Sequence, residues 1–208
     1  MTTATLHDSH PLANPRRVRM FLAEKGLGDA VTCRQWDAFK GEHKSDAYLK
    51  INPAGLLPAL ELEDGRCIAE TMAIARYFEA LKPEPALMGR DAMEQATIEM
   101  WQRRAESGLM GNTGAYFHNA TAGLGDNGRY RNKEWGEQSV DKLKAALTLF
   151  EAQLGRYPYV AGPEFSVADI TALCSIDFAL FCGIVSLDDY PNLKRWHTLV
   201  SSRPSAKA

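Results

Sequence analysis

The first residues to ask for chemistry are the thiols and imidazoles. Cysteines stand at 33, 67, 174 and 182, none in a CxxC pair and none at a zinc-holding spacing. His7, His10 and His197 show no ligand spacing with carboxylates or cysteines, so the sequence predicts no metal site. Isolated thiols in mostly apolar settings suit a reducing cytosol, where a free Cys behaves as a small hydrophobe. The stretch from Ile51 to Pro58 says more. Asn52-Pro53-Ala54-Gly55 is turn chemistry. Ala59-Leu60-Glu61-Leu62-Glu63 then alternates as a strand does, up to a hairpin signal at Asp64-Gly65 and a short return strand, Arg66-Cys67-Ile68. Pro58 thus stands at the mouth of a strand, where a residue without an N–H is confined to edges, bulges and strand starts. Either it only opens the strand, or it shapes a backbone that something binds.

The elements that would position such a site follow from the pattern. Residues 3–7 read as a short strand. Pro15 suits the first position of a helix running through Val18, Phe21 and Leu22 to Gly26. A second strand follows over 30–35, then a polar segment with weak helical character after Ser45, then the hairpin. A helix from Glu70 to Leu81 carries Ile74, Phe78 and Leu81 on one side. The order β-α-β-α-β-β-α within some 80 residues is a thioredoxin-like α/β layer. Lys82-Pro83-Glu84-Pro85 breaks the chain as a linker does. Beyond it no strand-like alternation occurs. Residues 91–117 form one helical pattern, and Val140, Leu143, Leu147, Phe150 and Leu154 make an apolar stripe at helical spacing. Ser166 and Asp169 read as a capping box, with Phe165 and Ile170 as its hydrophobic staple. A last helix covers 192–201. The second half is therefore all-helical.

Composition narrows the function classes. The chain has 208 residues, 45% hydrophobic and 24% charged, enough for one large or two small cores. Its net charge of -2 speaks against a nucleic-acid or anionic-membrane surface. The run Arg16-Arg17-Val18-Arg19 reads as the solvated face of an amphipathic helix. Residues 172–187 are apolar but short of the ~20 residues of a membrane span, so they predict a buried helix. MTTATLHDSH has neither the basic nor the apolar region of a signal peptide.

A thioredoxin-like domain over residues 1–82 and an all-helical domain over 90–208, joined by a Pro-rich linker, resemble the cytosolic glutathione transferases. NPAGLLPALELEDG is similar to that family's NPxGxVPxLE-DG segment, Glu70-Thr71-Met72-Ala73-Ile74 to its ES-x-A-I helix start, and VAGPEFSVADI to its C-terminal capping segment. GEHK, MWQRRAE, YFHNATAGLG, NKEWG and the closing RPSAK resemble the fungal Gtt-type branch and its bacterial relatives. The resemblance implies a cytoplasmic, homodimeric detoxification enzyme. It would use glutathione as co-substrate and no metal, and conjugate its thiolate to small apolar electrophiles.

The same resemblance assigns residues. It implies a cis peptide before Pro58, which turns the backbone of Leu57 toward the cysteinyl unit of glutathione as a strand edge would. Glu70 accepts from the γ-glutamyl amine, while the Thr71 hydroxyl and the helix N-terminus take the γ-glutamyl carboxylate. His43 and Lys44 hold the glycyl carboxylate. The family activates the thiol with a Tyr ending the first strand, or a Ser or Cys before the first helix. Here Leu12 falls at the Ser position, no Tyr or Cys occurs in residues 1–19, and Ser9 comes too early. Two substitutes remain: Asn14 just before the helix, and His118, which could polarise a water near the sulfur. Tyr116, with Phe117 and Trp101, could line the second-substrate wall. A glutathione-dependent disulfide or peroxide reductase and a non-catalytic glutathione-binding protein are the competing readings.

Overall fold

The computed structural model describes residues 4–125 and 130–208. The chain divides into two compact units, Met1–Pro85 with Ala208, and Ala86–Lys207.

The first unit is a four-stranded mixed sheet in the order β2-β1-β3-β4, formed by β1 (Ala4–Asp8), β2 (Val31–Gln35), β3 (Ala59–Leu62) and β4 (Cys67–Ala69). β1 runs parallel to β2 and antiparallel to β3, and β3 antiparallel to β4. Leu6, Leu60 and Leu62 are buried on the sheet beside the packed pair α1 (Ala13–Glu24) and α3 (Thr71–Leu81). α3 buries Thr71, Ile74, Ala75 and Phe78 at helical spacing, while Leu81, expected on that stripe, is exposed. A second cluster joins His7, Trp36 and the buried Tyr48 of the short helix α2 (Asp46–Leu49). Trp36 Nε1–H donates to His7 Nδ1 at 3.0 Å, so the other ring nitrogen carries the proton that reaches Glu61, also at 3.0 Å.

Three expectations need correction here. The first helix begins at Ala13, so Pro15 is its third residue. Proline is tolerated throughout that turn because the first N–H groups of a helix have no intrahelical partner. The arginine run is not simply a solvated face. Arg17 is buried and donates to Asn14 Oδ1 at 3.1 Å, and Arg19 pairs with the buried Asp8 carboxylate at 2.6 Å. Cys33 and Cys67, expected in apolar settings, are exposed on the two edge strands. Lys25, which caps the C-terminal end of α1, is wholly buried. Its ammonium pairs with Glu79 and donates to the carbonyls of Lys82, Pro83 and Pro85, while the Lys82 ammonium returns a bond to the Lys25 carbonyl.

The second unit comprises α4 (Ala92–Arg104), α5 (Gly111–Ala120), α6 (Lys133–Leu154), α7 (Val167–Phe181) and α8 (Pro191–Ser201). The single helical pattern over 91–117 is interrupted by a π-helical turn, Ala105–Met110, a distortion invisible to periodicity because it keeps every residue helical. Gly108 lies in that turn where α6 passes closely; a Cβ there would sit 3.1 Å from Ala146 Cβ. α6 buries Leu143, Leu147, Phe150 and Leu154. The apolar run becomes α7, nearly all of it buried. Asp169 in its first turn accepts from Ser166 N–H and Val160 N–H, from the Ser166 hydroxyl, and from Trp196 Nε1–H of α8. Phe165 packs edge-on against Tyr159, with Arg203 over its ring. No helix among the described residues is long and apolar enough to cross a membrane.

Candidate functional site

Strand register assembles the site. Ala59 pairs with Ala69 across the β3–β4 hairpin, so Leu57-Pro58 enters the sheet at the end where Glu70-Thr71 leaves it. His7 pairs with Ala59 on the other side, which brings the end of β1, and the start of α1 after it, to the same rim. One end of the sheet thus collects backbone from three distant segments.

The Asn52–Leu57 turn is fastened from within. Asn52 Oδ1 accepts from Ala54 N–H, Gly55 N–H donates to the Asn52 carbonyl, and Gly55 has a φ of 59°. Tyr48 and Asn52 both donate to the Leu56 carbonyl. The Leu57–Pro58 peptide is cis. Lys44 donates to the Gly55 carbonyl at 2.6 Å, which fixes the Glu42–Lys44 turn beside this segment. His43, in that turn, has a buried Nδ1 with no hydrogen-bond partner among the described residues. Burial, and then the Lys44 ammonium beside it, hold the His43 imidazole below its ordinary pKa.

Glu70 is the one described non-glycine residue with a positive φ, at 70°. An L-residue held there costs about 1–3 kcal/mol, and such strain gathers at ligand clamps. It terminates β4 and starts α3 at Thr71, which is buried and has no acidic residue in its first turn to offset the N-terminal dipole. The result is a carboxylate beside a hydroxyl and a helix N-terminus, a pairing suited to an ammonium and a carboxylate on one ligand.

The start of α1 differs from expectation. Asn14 is the second residue of the helix and is exposed; its Oδ1 is engaged by Arg17. What it can offer a sulfur is its NH2 group or its backbone N–H. Leu12 occupies the N-cap and supplies no side-chain cap. Ser9, buried, serves the turn through its carbonyl, which accepts from Leu12 N–H at 3.0 Å.

In the helical unit, Tyr116, Phe117 and His118 lie on α5, all half-buried. Phe117 packs edge-on against His118 and against Phe178 of α7. Trp101 does not belong with them. It is buried against Phe150 with Arg104 over its ring, a core residue rather than a wall. Two contributors escape the sequence pattern, Tyr48 and the strained backbone of Glu70. The Asn-Pro turn next to Tyr48 was the available signal for the first; the second had none, because glutamate is not a positive-φ residue type.

Comparison with known proteins decides the family. Residues 13–81 match the glutathione S-transferase N-terminal domain and residues 109–204 the C-terminal domain. Glutathione S-transferase 2 of Saccharomyces cerevisiae is 39% identical over 97% of this chain and 87% of its own. The chain belongs to the glutathione S-transferase family. Among solved structures, this transferase superposes on Gtt2 of Saccharomyces cerevisiae with a TM-score of 0.94 over 98% of both chains, at 39% identity. A glutathione S-transferase domain-containing protein of Marinobacter aquaeolei gives 0.93 at 38% identity, over 97% of this chain and 98% of its own. The resemblance to the Gtt-type branch therefore extends across both halves of the transferase fold.

Proposed function

We propose that this transferase binds glutathione along the sheet rim and adds its thiolate to a small apolar electrophile. Lys44 and His43 take the glycyl carboxylate, the Leu57 backbone before Pro58 takes the cysteinyl unit, and Glu70 with Thr71 takes the γ-glutamyl end. In the chemical step the thiolate lone pair forms the new C–S bond; in a substitution the leaving group departs with its bonding pair, and in an addition the π-electron pair shifts onto the acceptor group, which takes a proton from solvent. The displaced thiol proton goes to solvent. The observation that carries the reading is Glu70: a strained carboxylate at the end of β4, placed by register opposite the Pro58 turn. A backbone cost of that kind persists where surrounding structure and ligand binding require it.

Lowering a thiol pKa by about two units requires about 2.7 kcal/mol in favour of the thiolate. An exposed helix terminus supplies under about 1 kcal/mol, so further donors are needed. Asn14 from α1 and His118, acting through a water, fill that role, and Tyr116 contributes to the electrophile's wall. The enzyme works in the cytoplasm, which suits its four free thiols, and as a homodimer, for which the exposed Met93 and Met100 on α4 offer apolar surface. The test is Glu70→Gln. Calorimetry should show glutathione bound at least tenfold more weakly, the effect of losing a charged hydrogen bond of roughly 1.5–3 kcal/mol, with the melting profile unchanged. Unaltered affinity would reduce Glu70 to a helix-start residue.

A further inference from the structure

The Leu56 carbonyl carries two donors. The Tyr48 hydroxyl donates to it at 2.6 Å and Asn52 Nδ2–H at 2.8 Å. Both come from inside the unit: Tyr48 is 0% exposed and Asn52 5%. The Tyr48 ring is wedged edge-on against Trp36, with centroids 5.0 Å apart, and against His7 at 6.1 Å, so the hydroxyl has little freedom to leave. Burial is the main cause that pushes the Tyr48 pKa up to about 12, and the hydroxyl accordingly remains a donor throughout the neutral range.

The geometry of the peptide unit turns this anchoring into a direction. A trans peptide is planar, with its C=O and N–H pointing opposite ways. Cis bonds among the described residues occur only at Leu57–Pro58 and Glu84–Pro85, so the Leu56–Leu57 peptide is trans. Holding the Leu56 oxygen inward on Tyr48 and Asn52 therefore aims the Leu57 N–H outward, away from the buried cluster. Without those two donors, the turn after Gly55 would be free to rotate this peptide plane. Glutathione would then have to order it on binding, at a cost in affinity.

We infer that Tyr48 and Asn52 are positioning residues for glutathione, orienting the Leu57 N–H through the Leu56 carbonyl without touching the ligand. The inference rests on the assignment of glutathione's cysteinyl unit to Leu57. It distinguishes two roles for one aromatic residue: the ring of Tyr48 builds the core, while its hydroxyl sets affinity.

Tyr48→Phe separates them, since it keeps the ring and removes the donor. Binding of S-methylglutathione, an unreactive probe, should weaken about three- to tenfold, the change one neutral hydrogen bond is worth. KM for glutathione should rise in step, while kcat at saturating glutathione stays within about twofold. A residue with only a packing role would lower the melting temperature and leave this KM-against-kcat split absent. Glu70→Gln runs beside it as the control. If Glu70→Gln weakens binding and Tyr48→Phe does not, the positioning role is wrong and the glutathione assignment stands. If neither changes affinity, the glutathione assignment itself fails. In the wild-type protein, independently of any variant, the Leu57 amide should gain protection from hydrogen exchange when S-methylglutathione binds. An amide that exchanges equally fast with and without the probe would overturn the inference.

Discussion

Asp169→Ala tests how the helical unit is held together. The wild-type carboxylate accepts from Val160 N–H at 2.9 Å, Ser166 N–H at 3.0 Å and Trp196 Nε1–H at 2.8 Å, as well as from the Ser166 hydroxyl. The hydroxyl can turn to another acceptor, but the three N–H groups belong to residues at most 1% exposed. At about 1–3 kcal/mol for each buried donor left unsatisfied, the gross loss is roughly 3–9 kcal/mol. One effect opposes it. Burial, outweighing those hydrogen bonds, pushes the Asp169 pKa from 3.8 up to about 6, so the ionised carboxylate destabilises the native state by roughly 3 kcal/mol at neutral pH. The alanine variant is relieved of that cost. The difference leaves a net destabilisation of roughly 0–6 kcal/mol at neutral pH, with a midpoint of about 3 kcal/mol, or roughly 6–12 °C in melting temperature.

The sign of its pH dependence follows. Between about 3.8 and about 6 the folded state holds the Asp169 proton more tightly than the unfolded chain, so this group stabilises the fold progressively as pH falls through that window. The gap between wild type and Asp169→Ala should therefore widen from pH 7.5 to pH 5. Denaturant unfolding at both pH values, followed by circular dichroism, measures it. A gap that narrows toward pH 5, or one below about 1 kcal/mol throughout, would show that the carboxylate is not the hub these distances describe.

Three further outcomes are expected. His7 is buried and neutral in the fold, and burial holds its pKa below 6.5; the stability it lends is complete above 6.5 and declines as pH falls below that value, so an NMR titration placing His7 at or above 6.5 would contradict the assignment. Lys25→Met removes a buried ammonium from three carbonyls and the Glu79 carboxylate, and should cost about 3–5 kcal/mol in denaturant unfolding; a cost within about 0.5 kcal/mol would mean that water already reaches those groups. Asn14→Ala and His118→Ala should each raise the thiol pKa of bound glutathione, followed by thiolate ultraviolet absorbance, with much smaller effects on affinity; unchanged titrations in both variants would remove these residues from sulfur activation and leave the glutathione-binding assignment intact.

Local patterns in the sequence determined much of this protein. The β3–β4 hairpin, the stripe from Leu143 to Leu154 and the start of α7 at Ser166 depend on interactions within a few residues, and periodicity and turn chemistry report such interactions directly. The motifs that resemble the transferases did the same for the family, because their spacing is a property of the chain. The tertiary structure decided which polar groups lost their water. Arg17 and Lys25 look like surface cations in a helix pattern, yet one is buried on Asn14 and the other beneath the strap from Lys82 to Pro85. Trp101 has the same residue type and helical setting as a pocket wall, and only its contact with Phe150 makes it core. Glu70 is strained because β4 and α3 fix both of its neighbours, a constraint set from outside the residue. Burial and backbone strain arise from what other segments of the chain bring to a residue, and pairings over 50 positions apart, such as His7 with Glu61, exist only once the sheet has closed.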